Sequence, residues 1–193
     1  MLLGFLLASL AYLLGSVSSA VVVARVFKLA DPRKNGSGNP GATNMLRLGG
    51  KTPAILTCIL DMLKGYVPVM LGVWCHLNNF GLGLVGLLAV LGHIFPCFFD
   101  FQGGKGVATM FGVFFAAFPS LAFFMGGIWI GVALVTRYAS LASLVAAGAG
   151  VLGVLLFHFG AVLPVAGIAA AVTFRHLENI KRLQQGTESQ ISL

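Results

Sequence analysis

The chain has 193 residues, of which 58% are hydrophobic and only 9% charged, with a formal net charge of +7 and a mean hydropathy of +0.97. Soluble domains carry about 25% charged residues, so this composition excludes an ordinary globular protein and indicates a polytopic membrane protein. The bases lie in short loops between apolar runs rather than on one soluble face. That argues against nucleic acid as a partner and for membrane lipid headgroups or anionic substrates.

In chain order, residues 1–24 read as the first span. No basic segment precedes this run and it holds no convincing cleavage site, which predicts a retained helix rather than a signal peptide. Residues 52–74 form a second span and 79–96 a third, the latter running into "GHIFPCFFDFQGGKG". The next apolar stretch, 107–136, would be about 45 Å long as one helix, well beyond a bilayer core of about 30 Å. Pro119 near its middle disfavours helix at Phe118 and predicts a break there. The stretch 139–174 is longer still and carries its own break, "HFG" at 158–160. Dividing both gives seven spans, and leaving both whole gives five.

Charge placement favours seven. In that arrangement Arg25, Lys28, Arg33, Lys34, Arg47, Lys51, Lys105, Arg137, Arg175, Lys181 and Arg182 share one side, while "CHLNN" and "HFG" on the other hold no Lys or Arg. The positive-inside rule makes the basic side cytoplasmic, with the N-terminus outside and the C-terminus inside. The expected architecture is therefore all-α: a helical bundle of about seven transmembrane helices forming a single domain over 1–193.

The polar sequence gathers on that same side, in "RKNGSGNPGATNMLR" (33–47), "FQGGKGVAT" (101–109), "RYASLAS" (137–143) and "RHLENIKRLQQGTE" (175–188). The glycines of "GGKG" allow backbone N–H groups to converge into a nest that suits phosphate oxygens. A helix from Val107 would add its N-terminal dipole, and Lys105 a mobile charge. The pattern is not a Walker A loop, and a topology-setting lysine in a plain glycine-rich loop is the blander account. In "GSGNPGATN", Ser37, Thr43 and two asparagines between flanking bases offer hydrogen bonds to one another or to a ligand. His176 and Asn179, three apart, share a helical face, and Glu178 is placed to pair with Arg182 at i, i+4. Such a polar helix on its own would read as a solvated tail.

Asp61 and Lys64 fall mid-span, three residues apart, so both are expected to face the protein interior, as an ion pair or as the coupling site of a transporter. His93 is assigned a structural role at a helix end, and His76 and His158 are expected in solvent. Cys58, Cys75 and Cys97 lack metal-type spacing and read as packing residues. The H-x₄-D spacing of one acyltransferase class is missing, since Phe98 stands where the aspartate would follow His93.

These segments, with "AYLLGS" and "DMLKG", resemble in order the acyl-phosphate:glycerol-3-phosphate acyltransferase family of bacterial phospholipid synthesis, over nearly the full length. The resemblance implies transfer of a fatty acyl group from acyl-phosphate to the 1-hydroxyl of sn-glycerol 3-phosphate. The products would be 1-acylglycerol 3-phosphate (lysophosphatidate) and inorganic phosphate, without a cofactor or metal and without acyl-CoA as direct donor. It implies a multi-pass protein of the bacterial cytoplasmic (inner) membrane with its site facing the cytoplasm. Ser37, Arg47, His176 and Asn179 would be catalytic or substrate-orienting. Gly103, Gly104, Lys105 and Gly106 would form the phosphate loop, Ser143 would approach the same pocket, and Glu188 would be structural. The hydroxyl proton could pass to His176 or to a substrate phosphate oxygen, and the lack of a carboxylate placed to orient His176 favours the substrate. A small transporter of phosphorylated lipids is the competing class, but it would need polar residues on both faces.

Overall fold

In the computed structural model, which describes residues 2–191, the apolar runs are helices and most of the breaks between them have a local cause. Helix α1 (Leu2–Gly15) stops where the Ser16 hydroxyl donates back to the Tyr12 carbonyl at 2.8 Å. The chain resumes as α2 (Ser19–Val26), bent by 40° from α1. The expected single helix over 1–24 is thus two. The interruption exposes the Val17 carbonyl, which accepts from the Lys64 ammonium at 2.9 Å.

A short amphipathic helix, α3 (Ala42–Gly49), follows the first polar loop and leads into α4 (Lys51–Trp74). Helix α5 (Asn79–Ile94) begins at Asn78, whose side chain accepts the Gly81 N–H at 2.9 Å, satisfying one of the amides a helix start leaves open. Helix α6 (Val107–Ala117) ends at Phe118, and Pro119 opens α7 (Pro119–Thr136). Proline fits the first turn of a helix because its missing N–H would be unpaired there anyway. Helix α8 (Ala139–Phe157) ends at His158; a single 3₁₀ turn (Phe159–Ala161) leads into α9 (Val162–Arg175). A last polar helix, α10 (Leu177–Gln184), turns away by 58°.

Both expected divisions, at Pro119 and at "HFG", are therefore present. Helices α4, α7 and α8 are each long and apolar enough to cross a bilayer alone. The α1–α2 pair passes only when taken together, as does the 3₁₀ turn and α9 with α10, while α5 and α6 are shorter apolar helices. At 11 residues α6 is about 16 Å long, about half a bilayer core. Large apolar side chains such as Phe123, Val135 and Phe157 point outward, as lipid contact requires.

Small residues bring the helix backbones together. A Cβ on Gly15 would strike the Ala89 carbonyl and one on Gly92 the Tyr12 carbonyl, which seats α1 on α5; Gly65 meets Thr109 and Gly112 meets Met62 in the same way, which seats α4 on α6. Without water to drive association inside a bilayer, such close backbone approach supplies much of the packing energy. Met110, Val113, Phe114 and Met125 fill the core between these contacts. His158 departs from expectation: it is only part-exposed and stacks on Phe118 with ring centroids 4.5 Å apart. His76 is exposed as expected. The three cysteines are free thiols; Cys58 and Cys97 are partly packed, whereas Cys75 is exposed at the end of α4, so packing does not describe it.

Candidate active site

The polar segments meet at one end of the bundle. The first loop is organised from within by Asn44, in the first turn of α3 and 1% exposed. Its carbonyl oxygen accepts the Ser37 N–H at 2.9 Å, and its amide donates to the carbonyls of Pro32 and Asn35 at 2.9 and 3.0 Å. One side chain thereby saturates a turn containing Gly36 and Gly38, both at positive φ where glycine is favoured. Arg33 closes the loop on Asp31 at 2.7 Å, and that hydrogen bond holds the Asp31 carboxyl below its usual value. Ser37 itself lies exposed, and exposed Arg47 reaches the Ser189 hydroxyl at 3.2 Å.

The second loop is pressed against the end of α5. The Gly104 N–H donates to the His93 carbonyl at 3.2 Å. A Cβ on Gly103 would enter the His93 and Ile94 carbonyls, and one on Gly104 the His93 imidazole. The Gly103 and Gly104 carbonyls accept from the Arg175 guanidinium at 2.8 and 3.1 Å. This corrects the simple picture of an amide nest: one of the loop's amides is already engaged, and its carbonyls face an arginine. Gly106, at φ +83°, turns the chain into α6.

Lys105 projects from this loop to the Asn179 side-chain carbonyl at 2.6 Å. The Asn179 amide donates to Glu188 at 2.6 Å, and Glu188 also accepts from Ser140 and Arg182, each at 2.7 Å. Burial, partly opposed by Glu188 and reinforced by Arg182, Arg175 and Arg47, pushes the Lys105 ammonium down to about 8. For Glu188, burial raises the carboxyl, but the hydrogen bonds from Asn179, Ser140 and Arg182 outweigh it and the net shift is downward. His176, 2% exposed, holds its Nδ1 at 2.8 Å from the Val172 carbonyl; a carbonyl only accepts, so Nδ1 carries the proton and Nε2 presents a lone pair. Burial is the main cause that brings this imidazole down to about 4.

Of the sequence candidates, Gly103, Gly104, Lys105, Gly106, His176 and Asn179 are thus brought together, while Ser37 and Arg47 stand on the facing first loop and α3. Ser143 is not in this group. Its hydroxyl donates to the Ala139 carbonyl and accepts from Trp129 at 3.0 Å, tying α8 to α7, whereas Ser140, one turn earlier, donates to Glu188. Glu178 pairs with Lys181 at 3.0 Å rather than with Arg182, because Arg182 is taken by Glu188. Asn44, Arg175 and Ser140 were missed as organising residues although each lies inside a quoted motif; no spacing rule marks a side chain that bonds to loop carbonyls.

Two cavities flank the site. One of about 240 Å³, lined by Arg33, Gly38, Gln102, Gly103 and Arg175, separates the two glycine-rich loops. The other, about 290 Å³ and mostly apolar, lies along α3 and α4 at Leu46, Ala54, Ile55 and Cys58, with Ile191 of the tail against it.

Fold and site together define a membrane-embedded helical bundle with a basic, glycine-rich end suited to phosphate-bearing molecules. The family model described as Glycerol-3-phosphate acyltransferase matches residues 5–186. Relatives of that description include one from Shewanella woodyi, 48% identical over 94% of this chain and 90% of its own length. Another, from Pseudoalteromonas translucida, is 49% identical over 98% and 94%. The fold is also similar to crystal structures of PlsY, an integral membrane glycerol 3-phosphate acyltransferase. Its glycerol 3-phosphate form gives a TM-score of 0.93 at 41% identity, covering 98% of this chain and 96% of that one. Its lysophosphatidic acid form gives 0.91, covering 98% and 95%. The chain belongs to the glycerol-3-phosphate acyltransferase family.

Proposed function

We propose that this protein transfers a fatty acyl group from acyl-phosphate to the 1-hydroxyl of sn-glycerol 3-phosphate, the first step of bacterial phospholipid synthesis. The glycerol oxygen attacks the acyl carbonyl carbon, the carbonyl–oxygen bond to phosphate breaks, and the hydroxyl proton leaves with inorganic phosphate. Family membership and the two liganded forms of the PlsY relative, one with the acceptor and one with the acylated product, support acceptor and product. The observation that carries the chemistry is the placement of Lys105, on a glycine loop braced by Arg175, opposite the loop bearing Ser37 and the helix bearing Arg47.

The reaction asks for positioning and charge compensation. Acyl-phosphate is already activated, so the main obstacle is the mutual repulsion of two phosphates. Lys105 and Arg47 offset that repulsion and stabilise charge on the departing phosphate. Ser37 orients an oxygen, and His176 and Asn179 hold Lys105 and the acceptor in register. With its basicity lowered to about 4, His176 is a weaker base than a substrate phosphate, whose second pKa is about 6, so the proton passes to phosphate.

The reading includes seven spans, an outside N-terminus, and a site facing the cytoplasm of the bacterial inner membrane. It is supported by the charge pattern of the sequence: in a seven-span arrangement every Lys and Arg but Lys64 falls on one side. The test is phosphate release from purified, detergent-solubilised protein given palmitoyl-phosphate, with and without glycerol 3-phosphate, beside a palmitoyl-CoA reaction. Glycerol 3-phosphate-dependent release with lysophosphatidate formed, and silence with the CoA thioester, is the expected result. Folded protein giving no product from palmitoyl-phosphate would overturn the donor assignment.

A further inference from the structure

Beneath the glycine loop lies a set of buried groups that the transfer chemistry does not use. Asp61 and Lys64, on one face of α4, pair at 3.0 Å with side chains 4% and 8% exposed. His93, in the last turn of α5, turns its Nδ1 toward Asp61 Oδ1 at 3.5 Å. That distance is long for a hydrogen bond; Asp61 Oδ1 also carries the Lys64 ion pair, whereas among the described residues the buried His93 Nδ1 and the hydroxyls of Thr57 and Thr109 have no hydrogen-bond partner. Thr57 lies one turn from Asp61 on α4, and Thr109 packs on α4 at Gly65.

The opposite edge of the His93 ring touches the loop. Its Nε2 sits where a Cβ of residue 104 would stand, and the His93 carbonyl both receives the Gly104 N–H and closes off the space beside Gly103. The imidazole therefore bridges a membrane-buried carboxylate and the two glycines that precede Lys105. Helix packing does not call for this arrangement, since Gly65 and Gly112 already bring α4 against α6. Charges inside a bilayer are costly, and their usual justification is function.

We propose that Asp61 and His93 are positioning residues for the phosphate loop. Asp61 fixes the His93 ring, the ring sets the height of Gly103 and Gly104, and that height places Lys105 against a substrate phosphate. The inference rests on the acyltransferase reading and adds to it a support inside the membrane.

The two ring nitrogens can be separated by substitution. Asparagine at 93 reproduces the Nδ1 edge but leaves the space under Gly104 empty, whereas glutamine reaches the Nε2 position. In the palmitoyl-phosphate assay, Asp61→Asn and His93→Asn should raise KM for a phosphate-bearing substrate by about 10- to 100-fold with kcat changed less than about threefold. His93→Gln, which fills the space under Gly104 but gives up the Nδ1 contact with Asp61, should raise KM clearly less than His93→Asn does. A parallel measurement, deuterium uptake of the loop amides by mass spectrometry, should rise more in His93→Asn than in His93→Gln. If Asp61→Asn does not fold, the two His93 variants decide, because they leave the Asp61–Lys64 pair intact. Unchanged KM and unchanged loop exchange in folded His93→Asn would overturn the proposal, as would equal losses in kcat and thermal stability for both His93 variants. If the unsubstituted protein is silent with palmitoyl-phosphate, the acyltransferase reading fails instead, and loop exchange still tests the support.

Discussion

Lys105 and Glu188 are joined through a single intervening side chain: Asn179 accepts from the ammonium at 2.6 Å and donates to the carboxylate at 2.6 Å. A loop from the middle of the chain and the C-terminal tail are thereby locked to the same helix. Among the described residues the positive charge is held without a direct ion pair, which leaves Lys105 available to an incoming phosphate.

Removing that charge should be felt mainly in transfer. Lys105→Ala is expected to lower kcat/KM by at least about 100-fold, the order seen when one group stabilising developing charge is lost, with thermal unfolding little changed. The pH dependence follows from burial, which brings the free lysine to about 8. Below that value the ammonium is present; as pH rises through it, KM for the phosphate substrate should climb. Because the unfolded lysine stays protonated to a higher pH, this group's contribution to stability should increase between about 8 and its ordinary value. Initial rates and melting curves between pH 6.5 and 9.5 check both signs.

Glu188 acts on the fold. It accepts from Asn179, Ser140 and Arg182; Glu188→Ala leaves the buried Asn179 and Ser140 donors unpaired while the exposed Arg182 turns to water, at a cost of about 2 kcal/mol. Its carboxyl is lowered in the folded protein, so its stabilising contribution is present above the usual glutamate value and is lost as pH falls through the folded one. Thermal unfolding in detergent should show Glu188→Ala melting well below the unsubstituted protein at pH 7, with the gap narrowing toward pH 4.

How far the sequence was legible varied with the kind of interaction. Spans and breaks were readable because bilayer thickness and proline geometry act on local sequence: Pro119 and "HFG" divide helices where expected. The break at Ser16–Ser18 was not, since it is completed by Lys64, 47 residues away along the chain. At the candidate site, the glycine and charge pattern pointed to Lys105, whereas His176 and Asn179 came from the family resemblance, since their polar helix alone reads as a solvated tail; Lys105 and Asn179 lie in contact in the structure. That Ser140 rather than Ser143 bonds to the tail turns on which face of α8 meets Glu188. The Arg182–Glu188 pair likewise displaces a helical i, i+4 rule by a contact made through folding back of the tail.

His176 offers a test of who takes the proton. Its Nδ1–H is committed to the Val172 carbonyl and its basicity is brought down to about 4, so it is neutral throughout the working range. No inflection near 6.5 should therefore arise from it in kcat/KM. The unfolded histidine gains its proton near 6.5, so stability should fall as pH drops from that value toward about 4. Asparagine can reproduce the donor to Val172: His176→Asn is expected to retain activity within about tenfold, and His176→Ala to lose about 100-fold. Equal, near-complete loss in both, with intact melting curves, would favour His176 as the base.

The α4–α6 contact supplies a prediction about the scaffold itself. Gly65 and Gly112 let the two backbones touch, and a methyl on either would meet a main-chain carbonyl rather than a flexible side chain, so the helices must separate. Gly65→Ala and Gly112→Ala should each destabilise by about 1–3 kcal/mol, as overpacking in tight cores does. The separation also moves Asp61 and Thr109, neighbours of those glycines, and so should loosen the phosphate loop. Gly126→Ala on α7, where nothing lies within 4 Å, is the matched control and should stay within about 0.5 kcal/mol. Melting in one detergent at one pH measures all three. If Gly65→Ala unfolds no more readily than Gly126→Ala, the close crossing is not what holds α4 against α6.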